Sequence, residues 1–371
     1  DLPRATKNRI AKMASIVLAG GGTAGHIEPA LAVARVWKSS NPSDAITFLG
    51  TAQGLENTLI PAAGFSVNNI PKVRISRKPS PSWLRIPFDL VASVKACHSL
   101  LKDADLLIGF GGYVSAPAYI AARILGVPTI IHEANAMPGW ANRLGALFTP
   151  YLAVAHGVNA GMFSKALITG LPLRSDVANA LKGAGSDWHK ARAEAKIRLG
   201  FSPATPLVFV MGGSQGSVAI NKVIEQSVTM FSTKGIAVMH SVGRANVLPP
   251  ATDLYRPVAY VDQMADAYLA ADLIIARSGA VTCAEFRALG RYALFVPLPI
   301  GNGEQFHNAR GLVADGRAQV IDQKEFTTSY LHTHIDALLA SSHSAPLEGS
   351  TLDEDAAQKI AALGQHALES R

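Results

Sequence analysis

Two stretches decide how this chain folds: Asp105-Leu-Leu-Ile-Gly-Phe-Gly-Gly-Tyr-Val-Ser115 and Asp272-Leu-Ile-Ile-Ala-Arg-Ser-Gly-Ala-Val-Thr282. Each runs from an aspartate through a short apolar, strand-forming segment, breaks at glycine and opens a helix, and the second echoes the first. The same pairing recurs outward from them. Gly20-Gly-Gly-Thr-Ala-Gly-His26, after the apolar run Ser15–Ala19, has its counterpart in Gly212-Gly-Ser-Gln-Gly216, after Leu207–Met211. Further strands are expected at Ala45–Leu49, Ser66–Ile70, Thr129–His132 and Tyr151–Val154, then at Ala237–Ser241, Val258–Val261, Ala293–Val296 and Ala318–Ile321. Helical patterns lie between them, among them Ile27–Lys38, Trp83–Leu101, Ala116–Leu125, Ser217–Met230, Ala265–Ala271, Val281–Leu289 and Gln305–Ala314.

Strands alternating with helices predict an α/β fold with parallel sheets covered on both faces. The 371 residues suggest two domains at roughly 100–200 residues each. The reading is two doubly wound, Rossmann-like domains, residues 13–170 and 171–354, joined near Thr169–Arg174 where Gly170 and Pro172 interrupt the pattern. A last helix, about Asp355–Leu368 within residues 355–371, is able to pack back on either. Ligands in such sheets bind beyond the carboxyl ends of the strands, so a two-domain version is expected to face its ligand across a cleft.

Composition narrows the function. Hydrophobic residues are 49% and charged residues 16%, which excludes disorder as the main state. The two cysteines, Cys97 and Cys283, exclude a disulfide framework and any Cys-x-x-Cys metal site, and fit a reducing compartment. No run of about 18 apolar residues predicts a transmembrane helix. Residues 1–170 carry 16 Lys and Arg against 8 Asp and Glu, whereas residues 171–371 carry 18 against 19. The whole positive excess sits in the first half, which points to an anionic partner there.

The glycine loops are the first candidates for chemistry. Glycine permits close approach of the backbone, and the helix that follows offers unpaired N–H groups to an anion. In Gly212–Gly216 the amides and the Ser214 hydroxyl are expected to hold a diphosphate without a metal. The first loop fits a dinucleotide fingerprint poorly, because Ala45–Leu49 ends in Gly50-Thr51 and not in an acidic ribose partner. A nicotinamide dehydrogenase therefore rests on fold alone. No Gly-Lys-Ser/Thr follows either run, so neither is a P-loop. His26 starts the helix after the first loop, where a neutral imidazole is favoured and a general base is well placed. His132-Glu-Ala-Asn135 is not His-Glu-x-x-His, which rejects a zinc protease, but it puts Glu133 and Asn135 at a strand's carboxyl end. Glu285 falls one turn into a helix after a glycine loop, where a carboxylate accepts both hydroxyls of a ribose. Alone, it does not outweigh the reading of a solvated helix face.

Between Lys72 and Phe88, the cations Lys72, Arg74, Arg77, Lys78 and Arg85 interleave with Ile75, Trp83, Leu84, Ile86 and Phe88. Basic residues around an apolar wedge suit an anionic membrane surface. No nucleic-acid-binding module surrounds them, so no nucleic-acid partner is expected. The competing reading is that Trp83–Phe88 starts a core-packed helix and only the charges face out.

Taken in order, these segments resemble the MurG family, peripheral membrane UDP-GlcNAc transferases of the GT-B architecture that make lipid II from lipid I in peptidoglycan synthesis. The resemblance rests on Gly21–Pro29, Gly111–Pro117, His132–Asn135, Gly170–Arg174, Gly212–Gly216, Arg277–Thr282 with Glu285, and Gly303–Asn308, over about residues 15–315. It implies donor contacts at Thr23, Ala24, Gly25, Asn135, Arg174, Ser214, Val261, Ala280, Val281, Thr282, Cys283, Ala284, Glu285 and Gln305. Arg174 and Ser214 would hold the diphosphate, the Val261 backbone would read the uracil, and Glu285 would take the ribose. The acceptor would lie near His26, Tyr113 and Glu133, with His26 or Glu133 as base. Ala24 stands where the family often has Gly, and Glu304 where many members have a second Gln.

The resemblance further implies inverting transfer of GlcNAc from UDP-GlcNAc to the C4 hydroxyl of lipid I, with no cofactor and no metal. It implies a peripheral location on the cytoplasmic face of the cell membrane and partners among cell-wall synthesis and division proteins. A non-hydrolysing UDP-GlcNAc 2-epimerase shares the architecture but has no need of the Lys72–Phe88 patch, and a nucleotide-sugar-binding scaffold would show no turnover.

Overall fold

The computed structural model describes residues 13–73, 85–159, 161–299 and 303–370. Thirteen strands form two sheets among these residues. The first holds β1 (Ser15–Gly20), β2 (Ala45–Gly50), β3 (Ser66–Asn69), β4 (Leu106–Gly111), β5 (Thr129–Glu133), β6 (Leu152–Val154) and β7 (Leu167–Ile168), in the order β3-β2-β1-β4-β5-β6-β7. The second holds β8 (Leu207–Met211), β9 (Ala237–Ser241), β10 (Tyr255–Val258), β11 (Leu273–Ala276), β12 (Ala293–Phe295) and β13 (Ala318–Val320), ordered β10-β9-β8-β11-β12-β13. Every neighbouring pair in the second sheet is parallel, as are β1–β2, β2–β3, β1–β4 and β4–β5 in the first. Both sheets reverse their strand order beside their first strand, which makes each Rossmann-like and puts a topological switch point between β1 and β4 and between β8 and β11.

The two aspartates that open the echoing stretches do the same work twice. Asp105 Oδ2 accepts from Ser15 N at 3.0 Å while its own N–H donates to Ser15 O. Asp272 Oδ2 accepts from Leu207 N at 2.7 Å while its N–H donates to Leu207 O. Each locks the first residue of the central strand to the strand across the switch point. Asp272 is also paired with Lys196 at 2.7 Å and Arg192 at 3.0 Å. Buried charge of this kind is tolerated because each ion has a partner.

The chain divides into two compact units. One comprises Asp1–His132, Trp140–Ala153 and Gln358–Arg371, the other Glu133–Gly139 and Val154–Ala357. Most of the final helix, Ala356–Glu369, therefore belongs to the first unit, where His366 meets Tyr151 edge to face at 6.2 Å. The largely aliphatic core of the second unit contains an aromatic row, with Tyr268 edge-on to Phe286 at 5.0 Å and Phe286 stacked on Phe295 at 5.8 Å.

The expected strands fall within three residues of their observed bounds, the strand expected at Val258–Val261 lying three residues earlier at both ends, at Tyr255–Val258. Pro257 lies within the observed strand and is accommodated because β10 is the edge of its sheet, where a missing N–H costs no ladder bond. The helix expected over Ser217–Met230 is two, Val218–Gln226 and Val228–Thr233, broken at Ser227, whose hydroxyl donates to Val223 O. Helices Ser175–Ala184, Trp188–Arg198 and Thr328–Ser344 were not among those read from the sequence.

Candidate active site

In the first unit the loop after β1 is built around a buried carboxylate. Glu56 is fully buried; its Oε2 accepts from Gly22 N at 3.1 Å, and its Oε1 accepts from Thr51 N at 2.8 Å and the Thr51 hydroxyl at 3.0 Å. This residue escaped the sequence reading, since a single glutamate 34 residues from its loop partner leaves no local pattern. Thr23 takes the extended N-cap position of the helix Ala24–Ser40, so Ala24 and Gly25 form its first turn. The Thr23 hydroxyl lies 3.2 Å from His26 Nδ1. Gly112, at φ +85, brings the loop after β4 against the same imidazole: a Cβ there would stand 3.3 Å from His26 Nδ1 and 2.5 Å from Gly21 O. Tyr113 follows, 43% exposed, with Lys72 Nζ 5.7 Å from its ring centre. The structure thus assembles Thr23, His26, Tyr113 and Lys72 around the switch point of the first sheet.

The loop after β8, Gly212–Gly216, opens the helix Val218–Gln226, whose N-cap Ser217 accepts from Ile220 N. Behind it lies Arg277, buried, donating to Ser217 Oγ at 2.8 Å, to Val296 O at 2.8 Å, to Pro297 O at 2.9 Å and to Gln323 Oε1. All four acceptors are neutral. Burial pulls its pKa down, but a guanidinium stays charged, so a fixed positive charge sits at the base of the loop. Ser214 is half-buried on that loop. Its flank carries a chain of neutral hydrogen bonds. Asn221 Nδ2 donates to Val242 O at 2.8 Å, Asn221 Oδ1 lies 3.1 Å from His240 Nε2, and His240 Nδ1 lies 2.9 Å from Tyr255 OH. Because Asn221 spends its amide on Val242, His240 donates through Nε2 and accepts through Nδ1. Burial lowers its pKa to about 4 and holds it neutral.

Arg174 and Glu285, expected to take different parts of one ligand, are brought together: Arg174 Nε is 3.0 Å from Glu285 Oε1. Tyr268 OH donates to Glu285 Oε2 at 2.9 Å. Glu285 is buried, and burial with this carboxylate pushes the Tyr268 phenol well above its ordinary range. Glu285 lies in the helix Ala280–Ala288, where Val281, Cys283 and Ala284 face the core and Cys283 N already donates to Gly279 O. What the run Ala280–Glu285 offers a ligand is therefore the unpaired N–H groups of Ala280, Val281 and Thr282, with the partly exposed Thr282 side chain. The thiol of Cys283 is pushed up to about 12 by burial and is inert. Val261 is buried beyond the end of β10, which leaves its backbone as the group on offer.

Glu133, Asn135 and Gln305 belong to the second unit. Both Glu133 oxygens close the short loop that follows it, Oε1 accepting from Asn135 N at 2.8 Å and Nδ2 at 3.1 Å, Oε2 from Gly139 N at 2.9 Å. Asn308, quoted in a motif but given no role, ties this loop to its neighbours. Its Oδ1 accepts from Ala136 N at 3.0 Å, and its Nδ2 donates to Asn135 Oδ1 and Ser278 O, both at 3.3 Å. Gln305 Oε1 accepts from Leu298 N at 2.9 Å at the start of the helix Glu304–Ala314. Burial first, and the Glu133 charge second, raise the pKa of Glu304.

Of the amphipathic segment, Arg74, Arg77, Lys78 and Trp83 lie outside the described residues. Lys72 and Arg85 are exposed, and Phe88 is 76% exposed at the start of the helix Ile86–Leu101, with Val91 beside it one turn on. Phe88 is not packed in a core. No helix among the described residues is long and apolar enough to cross a membrane.

Two Rossmann-like sheets with glycine loops at their switch points define a nucleotide-binding α/β architecture, and comparison with known proteins makes the class specific. Residues 16–155 match the glycosyltransferase family 28 N-terminal domain and residues 207–363 the glycosyltransferase family 28 C-terminal domain. The chain is a glycosyltransferase and belongs to glycosyltransferase family 28. It is 43% identical over 335 residues to the UDP-N-acetylglucosamine–N-acetylmuramyl-(pentapeptide) pyrophosphoryl-undecaprenol N-acetylglucosamine transferase of Streptomyces coelicolor, covering 88% of this chain and 90% of that one. To the enzyme of the same name from Corynebacterium glutamicum strain R it is 44% identical over 326 residues, covering 87% and 88%. Among solved structures it is similar to MurG of Acinetobacter baumannii, with a TM-score of 0.67 and 25% identity over 95% of this chain and 99% of that one.

Proposed function

We propose that this chain transfers N-acetylglucosamine from UDP-GlcNAc to the C4 hydroxyl of undecaprenyl-diphospho-N-acetylmuramyl-pentapeptide, with inversion at the anomeric carbon. The observation that carries this reading is the likeness to the Streptomyces coelicolor transferase, which spans both sheets and so both halves of the reaction. The second unit would hold the donor. The diphosphate would lie against Ser214 and the amides of Gly212–Gly216, over the buried Arg277 charge, with the first-turn N–H groups of Ala280–Thr282 beside it. Arg174 and Glu285 would open to the diphosphate and the ribose hydroxyls, the Val261 backbone would meet the uracil, and Asn135 and Gln305 the sugar.

The first unit would bring the acceptor to His26. With His26 Nδ1–H donating to the Thr23 hydroxyl oxygen, the Nε2 lone pair takes the proton of the attacking C4 hydroxyl. The acceptor oxygen bonds to the anomeric carbon as the bond to the β-phosphate oxygen breaks, and UDP leaves with the electron pair. Preorganised amides and a fixed cation stabilise that developing charge without reorganising. Glu133, occupied in shaping the Asn135 loop, would position that residue.

The protein would sit peripherally on the cytoplasmic face of the membrane, held by the positive first half and the Lys72–Phe88 segment. Each Lys or Arg near an anionic leaflet contributes about 1 kcal/mol before screening, and exposed Phe88 adds burial. Incubation with UDP-GlcNAc, with and without the lipid acceptor, tests the reaction: a disaccharide-lipid supports it, whereas an epimer without acceptor, or no product, rejects it. Changing Trp83 and Phe88 to Ser with Arg77 and Lys78 to Glu should reduce binding to phosphatidylglycerol vesicles while transfer to a short-chain soluble acceptor survives. Unchanged vesicle binding by the folded variant would move the membrane surface elsewhere.

A further inference from the structure

The loop Gly212–Gly216 does not hold its own shape. Only one backbone bond closes it, Gly216 N to Gly213 O at 3.0 Å. Its outer side rests on the segment after β9, and the two backbones interlock. A side chain at Gly216, which has φ +75, would collide with Val242 O, and one at Gly243, with φ +99, would collide with Gln215 O. Two carbonyls, Gln215 O and Val242 O, are crowded into this seam. Asn246 offers both of them one donor. Its Nδ2 donates to Val242 O at 2.8 Å and to Gln215 O at 3.3 Å. Asn246 is itself seated by its N–H, which donates to Gly243 O at 3.0 Å. On the far side Val242 O also takes Asn221 Nδ2, at the end of the neutral chain through His240 to Tyr255.

We propose that Asn246 is a positioning residue for diphosphate binding: by holding the Gln215 carbonyl against β9, it sets the peptide planes of the glycine loop for an anion. The peptide unit is planar and trans, so fixing the Gln215 oxygen fixes the Gly216 N–H, and with it the turn back to Gly213. It also keeps a partial negative charge on the seam side of the loop, away from an anion that would be repelled by it. A carboxamide does this without adding charge, whereas a lysine there would compete for the anion and a carboxylate would repel it. Asn246 touches no ligand in this scheme and acts through Gln215. The inference rests on reading this loop as the diphosphate site.

UDP and uridine serve as the probes, measured by titration calorimetry on the full chain. Asn246→Leu keeps the shape and removes both donor bonds; Asn246→Ala removes the side chain. Each should weaken UDP about tenfold, as expected for two modest hydrogen bonds, while uridine changes by less than about twofold. The kinetic counterpart is a raised donor KM with an acceptor KM that stays put. A residue that merely stabilised the fold would lower the melting temperature and leave the ratio of UDP to uridine affinity unchanged, and that result overturns the proposal. Ser214→Ala separates the two layers of inference. If it weakens UDP and Asn246→Leu does not, the positioning role falls alone. If Ser214→Ala leaves UDP binding intact, the loop is not the diphosphate site and the proposal falls with it. Non-additive losses in the double variant are the expected result, because both substitutions act on one loop.

Discussion

The two glycine loops share a strand, a turn and a helix start, yet they are braced by opposite means. The loop after β1 is braced from within by the Glu56 carboxylate, which takes the Gly22 N–H and both donors of Thr51. The loop after β8 has a buried cation behind it, Arg277, and neutral carboxamides at its side. An internal anion takes the Gly22 N–H of the first loop, which carries an imidazole and a hydroxyl, those of His26 and Thr23, on its helix start. An internal cation raises the affinity of the second for a ligand anion. Two strand–glycine–helix units of the same local pattern therefore differ in the sign of the charge buried behind them, and on the proposed function that sign separates the acceptor loop from the diphosphate loop.

The largest expected effect tests the first loop. His26→Ala should lower kcat about 10²–10⁴-fold with a smaller change in donor KM. A variant with near-normal kcat would return His26 to a structural role and break the division of labour.

Next comes the ion pair of the second unit. Glu285→Ala removes the acceptor of the buried Tyr268 hydroxyl and the nearest carboxylate of Arg174, so it should cost about 3–5 kcal/mol of stability as well as donor affinity. Glu285→Gln should lose roughly 1.5–3 kcal/mol of donor binding while the fold survives better. Equal donor affinity in wild type and Glu285→Gln would remove this carboxylate from the ligand's reach.

His240 offers a pH test confined to the second loop's scaffold. Its pKa is lowered from 6.5 to about 4 in the fold, so between those values the unfolded chain binds more protons. Its contribution is complete above pH 6.5, falls as the pH drops toward 4, and amounts to about 3 kcal/mol. Denaturant unfolding at pH 7.5 and 4.5 should show that loss, and His240→Gln should flatten it. The same slope in both proteins would show that His240 does not carry the acid sensitivity.

The smallest change sharpens the comparison most. Glu56→Gln keeps one acceptor oxygen and leaves one N–H of the first loop poorly paired, at about 1–3 kcal/mol. It should lower the melting temperature and kcat but leave UDP affinity unchanged. A parallel fall in UDP affinity would mean that the first loop also carries the donor.

Much of this was legible in the sequence because it is local. Alternating apolar runs and glycines gave both sheets, and the paired Asp105 and Asp272 stretches gave the duplication. The strand at Tyr255–Val258 contains Pro257, whose tolerance depends on an edge position that no local pattern reveals. Glu56, Asn246 and Asn308 were missed for a related reason. Each is an ordinary polar residue until at least one partner from elsewhere in the chain, Gly22 for Glu56, Gln215 for Asn246 and Ala136 for Asn308, is brought to it. Phe88 is expected at the membrane against a competing core-packed reading, and its exposure removes only the core reading.

The sequence by itself determined the order of strands and helices, the family and the glycines that let backbones approach, because backbone conformation follows from near neighbours and period. Only the tertiary structure decided that Arg174 meets Glu285, that Glu133 closes a loop, and that one glycine loop is backed by a carboxylate and the other by a guanidinium. Those choices are set by which side chains are buried together, and burial makes an unpaired polar group too costly to leave unmatched.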